Sequence, residues 1–143
     1  MWQETMVCAV EAASKHGVPL NVVLAVAEVE NGRDGMARVN EDGSVDYGRM
    51  QINSRQLQDL GQYGITGESL MQPGCFCIDL ATWILGNHIR RCGGGDFWFC
   101  VAKYHSKTPA VNVAYQARLL PAASKWARWV KERMPTVEFA VSR

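Results

Sequence analysis

The chain has 143 residues, with 15 basic and 14 acidic side chains and a formal net charge of +1, which argues against a module that grips nucleic acid by charge. Hydrophobic residues make up 48% and charged residues 20%, the composition of a globular chain and not of a disordered one. At roughly 150 residues per domain the length suits one domain, and no apolar run reaches the roughly 18 residues of a membrane span.

The helical pattern starts at residue 3 and continues to residue 16, where Gly17 is a plausible terminating glycine. Pro19 fits the first position of a second helix, which carries Leu24, Ala25, Val26 and Val29 and closes at Glu30 before Asn31-Gly32. That helix is apolar nearly all round, so it belongs at the centre of the domain. Asp42-Gly43, between Val39 and Val45, signals a small hairpin of two or three strands, the only β structure expected. Asn53 or Ser54 caps a short helix, and Thr66 caps another turn around Leu70. Ile78 to Arg91 reads as a strong helix, and Phe97 to Tyr104 as a further one capped by Asp96. Thr108-Pro109 restarts a helix that Pro121 is expected to interrupt. Trp126, Trp129, Val130 and Met134 give a last amphipathic stretch, and Pro135 and the tail beyond it are expected to fray. The class is mainly α with a small β hairpin. Residues 1–120 are taken as the domain, and 121–143 as a C-terminal amphipathic helix and tail packed on it.

No phosphate loop, H-E-x-x-H or G-x-S-x-G is present. The chemistry falls to Glu30, an acid at the end of a nearly all-apolar helix. Desolvation there favours the neutral carboxyl and raises its pKa, as a general acid for a glycosidic oxygen requires. Alone, Glu30 reads more readily as a solvated residue at a helix end, and Asp46, just after the hairpin turn, as a turn residue bonded to nearby backbone. Together, across a cleft, they make a glycosidase carboxylate pair. Five cysteines point to an oxidising compartment or to a metal, and the odd number leaves at least one unpaired within the chain. A metal module using Cys75, Cys77, Cys92 and Cys100 would need C-x-C followed by C-x7-C, which is not usual zinc spacing.

The run Asn40-Glu41-Asp42-Gly43-Ser44-Val45-Asp46-Tyr47-Gly48-Arg49-Met50-Gln51-Ile52-Asn53-Ser54 resembles the hairpin of c-type lysozymes. With Ala27-Glu28-Val29-Glu30-Asn31-Gly32, Pro73-Gly74-Cys75, Trp83-Ile84-Leu85, Lys103-Tyr104-His105-Ser106 and Ala114-Tyr115, the chain is more fully similar to specialised lytic transglycosylases. These small muramidases serve type IV secretion, conjugation, type IV pilus and type III secretion machines. The resemblance keeps order and spacing from about Cys8 to Leu119. It departs from the family at Asn31, where the family has Ser, at Arg49, where it has Leu, at the inserted Gly74, and at His105, where many relatives have Asn.

The resemblance implies a lysozyme-like fold and cleavage of the MurNAc-β-1,4-GlcNAc bond of peptidoglycan glycan strands with 1,6-anhydro ring formation. It assigns the catalytic role to Glu30, with Asp46 as a possible second carboxylate, and implies no cofactor or metal. Asn31, Gly48, Met50, Gln51, Asn53, Tyr104, His105, Ser106 and Tyr115 are the implied substrate-binding positions, with Met50 lining the cleft. It also favours a disulfide between Cys8 and Cys75, leaving Cys77, Cys92 and Cys100, of which two can pair. A lysozyme-like hydrolase using Glu30 and Asp46 and a non-catalytic scaffold of a secretion machine stay open as alternatives. The residues around Trp126 and Trp129 either meet such a partner or pack on the domain. The substrate lies outside the cytoplasmic membrane, so a periplasmic, exported protein is expected. The start Met1-Trp2-Gln3-Glu4-Thr5 has no basic n-region or apolar h-region, so its signal peptide is expected to have been cleaved or trimmed.

Overall fold

The computed structural model describes residues 2–134 and residue 140. Among the described residues there are seven α-helices and a small antiparallel sheet: α1 Trp2–His16, α2 Leu20–Glu30, α3 Leu57–Leu60, α4 Gly67–Met71, α5 Phe76–Arg90, α6 Phe97–Ala102 and α7 Pro109–Arg133. The strands β1 Ala37–Val39, β2 Val45–Tyr47 and β3 Ile52–Asn53 lie in the order β1-β2-β3. This is the expected class, and the lysozyme-like fold of the resemblance.

Helix α2 is the hub. All eight residues from Leu20 to Ala27 are buried, which its unbroken apolar sequence requires. The one polar member, Asn21, is satisfied by α7 and the tail: its Nδ2 donates to the Ala123 carbonyl at 3.1 Å and the Ala140 carbonyl at 2.6 Å, and its Oδ1 accepts from the Ala140 N–H at 2.7 Å. A Lys125–Glu28 ion pair adds a contact between the same two helices at the surface.

The expected break at Pro121 is absent, and α7 runs through it as one helix. Proline removes one helical N–H, normally costing about 3 kcal/mol. Here Pro121 and Ala117, whose carbonyl loses that donor, are both exposed, so water can take the bond. Leu119, Ala122 and Ala123 on either side are buried and hold the helix to the domain. Trp126 packs its ring 5.3 Å from Trp2 and 5.6 Å from Trp129, so these indoles contact the domain itself. The expectation for Pro135 and the residues after it, Ala140 apart, lies outside the described residues.

Two of the expected caps bond the helix start, while Asp96 and Thr108 stand at the N-cap positions of α6 and α7 without a side-chain cap bond. Asn53 accepts from the Arg55 N–H at 3.0 Å, and Thr66 closes a capping box with Ser69. Disulfides join Cys8 of α1 to Cys75 before α5, and Cys92 to Cys100, while Cys77 is a buried thiol. Burial pushes that thiol up to about 11, against an ordinary 9.

Thiol titration of the unreduced protein is therefore expected to count one cysteine after denaturation and none in the native state near neutral pH. Removing the Cys8–Cys75 bridge by double Ser substitution should lower unfolding free energy by roughly 2–4 kcal/mol, measured by denaturant titration. A native protein with a reactive thiol would contradict the buried Cys77.

Candidate active site

A cavity of about 530 Å³ lies between the end of α2, the sheet, and the segment from Lys103 to Lys107. Three local structures build it. The first is the close of α2, where Asn31 adopts the left-handed conformation at φ 53° and returns its N–H to the Ala27 carbonyl. Asn tolerates this geometry better than most side chains. The next residue must be glycine, since a Cβ on Gly32 would lie 2.2 Å from the Gly48 carbonyl oxygen. The end of α2 is thereby pressed against the turn after β2.

The second is that turn. A Cβ on Gly48 would meet the Leu70 carbonyl oxygen at 2.0 Å, and Gln51 is held at φ 52°. Gln51 Nε2 donates to the Gly48 carbonyl at 2.9 Å. Beneath the turn, Arg49 is buried and donates to Thr5 Oγ1 at 2.6 Å and to Asp34 Oδ2 at 2.8 Å, replacing the family's leucine with a polar tie to α1.

The third is the sheet register. Arg38 pairs with Asp46, and Asp46 with Asn53. Directly opposed residues share a face, so these three form a row along the cavity wall. Asp46 accepts from Asn53 Nδ2 at 2.9 Å and Asn40 Nδ2 at 3.1 Å, one on each oxygen.

Glu30 stands at the centre. Its Oε2 accepts from the Tyr115 hydroxyl at 2.6 Å. Burial is the main cause that raises its carboxyl from 4.5 to about 7. The Tyr115 bond opposes this, the negative charge of Asp46 adds to it, and Arg118 and Arg38 pull it back more weakly. Tyr115 is buried, His105 stacks on its ring at 4.6 Å and 10°, and the Arg118 guanidinium lies 5.2 Å from the ring centre. Burial and nearby Arg118 lower the pKa of His105. Tyr104 donates to the Met50 carbonyl at 2.6 Å. Burial first, then the Glu30 charge, lifts the hydroxyls of Tyr104 and Tyr115 well above 10, so both stay protonated at neutral pH.

Of the expected site residues, Glu30, Asp46, Gln51, Asn53, Tyr104, His105 and Ser106 line the cavity, and Tyr115 backs Glu30. Asn31 is exposed at the helix end and is not part of the wall. Gly48 is buried in the turn. Met50 does not line the cleft: its side chain is fully buried in the core, and only its carbonyl reaches toward the site, to Tyr104. The turn places Gln51 in the cavity wall and its neighbour Met50 in the core. Reading the sequence missed the cations of the wall, Arg38, Arg55, Lys103, Lys107 and Arg118. Arg118 had a signal available, three residues past Tyr115 on one helix face. Among the described residues, no group of three or more His, Cys, Asp or Glu is arranged to hold a metal ion, and no helix is long and apolar enough to cross a membrane.

Residues 7–124 match the family model described as the transglycosylase SLT domain. The chain is 32% identical to protein IpgF of Shigella sonnei over 102 residues, covering 71% of this chain and 66% of that protein. It is 29% identical to the invasion protein IagB of Salmonella typhimurium, covering 71% of this chain and 62% of the relative. It is 31% identical to a putative peptidoglycan-binding-like protein of Escherichia coli, covering 69% and 66%. The matched region thus spans just under two thirds of these curated relatives. With a family match over most of its length and the helical, small-sheet architecture in place, the chain belongs to the transglycosylase SLT domain family.

Proposed function

We propose that the protein is an exported lytic transglycosylase that cuts the MurNAc-β-1,4-GlcNAc bond of peptidoglycan and opens the wall locally for a secretion, conjugation or pilus machine. The observation that carries this reading is the Glu30 carboxyl, desolvated so that it holds a proton near neutral pH inside a cavity large enough for sugar rings.

In the first step the protonated carboxyl of Glu30 gives its proton to the glycosidic oxygen, and the bond from that oxygen to the anomeric carbon breaks. In the second the resulting carboxylate takes the proton from the sugar's own 6-hydroxyl. The 6-oxygen then bonds to the anomeric carbon and closes the anhydro ring. Atoms balance without water, and Glu30 ends as it began. Tyr115, donating to Oε2, fixes the carboxyl and leaves Oε1 for the substrate. Asp46 keeps negative charge beside the forming oxocarbenium ion and favours the protonated resting state of Glu30. Gln51 spends one N–H on the Gly48 carbonyl and keeps its amide oxygen and second N–H for sugar hydroxyls or the acetamide. Asn53, His105 and Ser106 complete the polar wall for the sugar.

The presence of Asp46 in the same wall supports the second reading, a lysozyme-like hydrolase in which Asp46 acts as nucleophile or stabiliser. The name of the Salmonella relative, an invasion protein, supports service to a secretion machine, and the substrate sets the periplasm as the compartment.

Glu30→Gln is expected to cut release of soluble muropeptides from sacculi by at least about a thousandfold, with wild-type products carrying 1,6-anhydro ends in mass analysis. Reducing-end MurNAc in their place selects the hydrolase, and turnover by the variant removes Glu30 from the chemistry. The raised carboxyl also predicts the direction of a stability change with pH. The folded pKa lies above the unfolded one, so the fold is unpenalised below about 4.5 and loses stability as pH rises through 7, by about 3 kcal/mol in full. Glu30→Gln removes this loss, so denaturant titrations should show the variant gaining on wild type between pH 4 and pH 8. A constant difference across that range would contradict the raised carboxyl.

A further inference from the structure

A second hollow, of about 200 Å³, lies between α3 and the outer end of α5. Its wall includes Gln56, Asp59, Trp83, Asn87, His88 and Arg91. It adjoins the catalytic cavity in two ways. Gln56 lines both. Lys103 and Lys107 line the catalytic cavity and act electrostatically on His88 in the hollow.

The chemistry of the wall is mixed in a particular way. Trp83 is 39% exposed while its neighbours Thr82 and Ile84 are buried, so part of its indole is left open at the rim of the hollow. Around it stand groups with spare hydrogen-bonding capacity. Asn87 accepts from Arg90 through its oxygen and keeps its amide N–H groups. Asp59 and Arg91 have no ion-pair partner among the described residues. His88 Nε2 is buried without a partner among them. Burial first, then Lys107, Lys103 and Arg91, lowers the His88 pKa and favours its neutral imidazole. One aromatic platform ringed by neutral and opposite-signed polar groups suits a ring with one apolar face and hydroxyls at its edge. The hollow is too small for a helix or strand of a protein partner, and its continuity with the cleft names the source of the ring.

We propose that this hollow is an outer subsite that seats a pyranose ring of the glycan strand against Trp83 while a bond further along the same strand lies at Glu30. The inference rests on reading the main cavity as a glycan-cleaving cleft. It makes the enzyme prefer long strands to short fragments.

The test compares wild type with Trp83→Ala and Trp83→Phe on solubilised long glycan strands and on a tetrasaccharide. Trp83→Ala is expected to raise KM roughly tenfold on long strands at unchanged kcat, to leave tetrasaccharide turnover unchanged, and to be largely restored by Trp83→Phe. Titration of hexa-N-acetylchitohexaose into Glu30→Gln protein, with and without Trp83→Ala, should give the same roughly tenfold weakening without relying on turnover. Unchanged KM and chitohexaose affinity in Trp83→Ala would overturn the subsite. So would an equal loss on both substrate lengths together with a lowered melting temperature, which marks a purely structural role. If Glu30→Gln still cleaves sacculi, the catalytic reading fails by itself, and the chitohexaose titration in wild-type background still decides Trp83.

Discussion

The Tyr115–Glu30 hydrogen bond is the contact on which the rest of the molecule depends. It joins the end of α2 to the first third of α7, the two helices whose packing forms the centre of the domain. A carboxyl at the end of an apolar helix is expensive to bury unless a donor meets it. Tyr115 is that donor, and its own position is set by burial, by the stacked His105 and by Arg118. At the other end of α2, Asn21 makes the matching tie to α7 at Ala123. Ties at both ends hold α2 so that Glu30 sits in the cavity wall, where burial raises its proton affinity against the opposing pull of the Tyr115 bond.

The sheet is small because its task is narrow. Three short strands suffice to bring Arg38, Asp46 and Asn53 into one row facing Glu30. Asp46 is held by two amide side chains and not by a cation, so its charge stays available to the cavity. Cations elsewhere in the wall oppose it, Arg55 paired with Asp42 and Arg38, Lys103, Lys107 and Arg118 without an ion-pair partner among the described residues, giving a site of mixed sign inside a chain that is nearly neutral overall.

The helices were readable because apolar spacing and caps are local properties. The all-round apolar run of α2 announced both its burial and the unusual position of Glu30, and the αL residue after it is an asparagine. Pro121 misled for a definable reason: proline's cost depends on whether the freed carbonyl faces water, and exposure at Ala117 is a tertiary fact. Met50 misled because adjacent residues of a tight turn divide between core and cleft, and which goes where depends on the φ of Gln51. Arg38 became visible only through strand register, since nothing nearby in sequence ties it to Asp46. Lys103 and Lys107 flank recognisable motif positions, yet a lysine beside a motif is as often a solvated surface residue. The roles of Glu30 and its neighbours came from the ordered motifs, which spacing alone would not have supplied.

The buried thiol has a consequence for how the chain matures. Cys75 and Cys77 are separated by one residue, so in an unfolded, oxidising chain both compete for Cys8 across loops of nearly equal length, 67 residues for Cys75. Cys92 and Cys100, only 8 apart, close against a much smaller loop entropy and need little guidance. What distinguishes Cys77 is the Gly48 turn, packed so closely that a Cβ on Gly48 would lie 3.1 Å from its sulfur. Once that turn is seated, Cys77 is out of reach and Cys75 is the sulfur left to Cys8. In any chain whose hairpin is already packed, the turn that shapes the cleft therefore also excludes Cys77 from the bridge to Cys8.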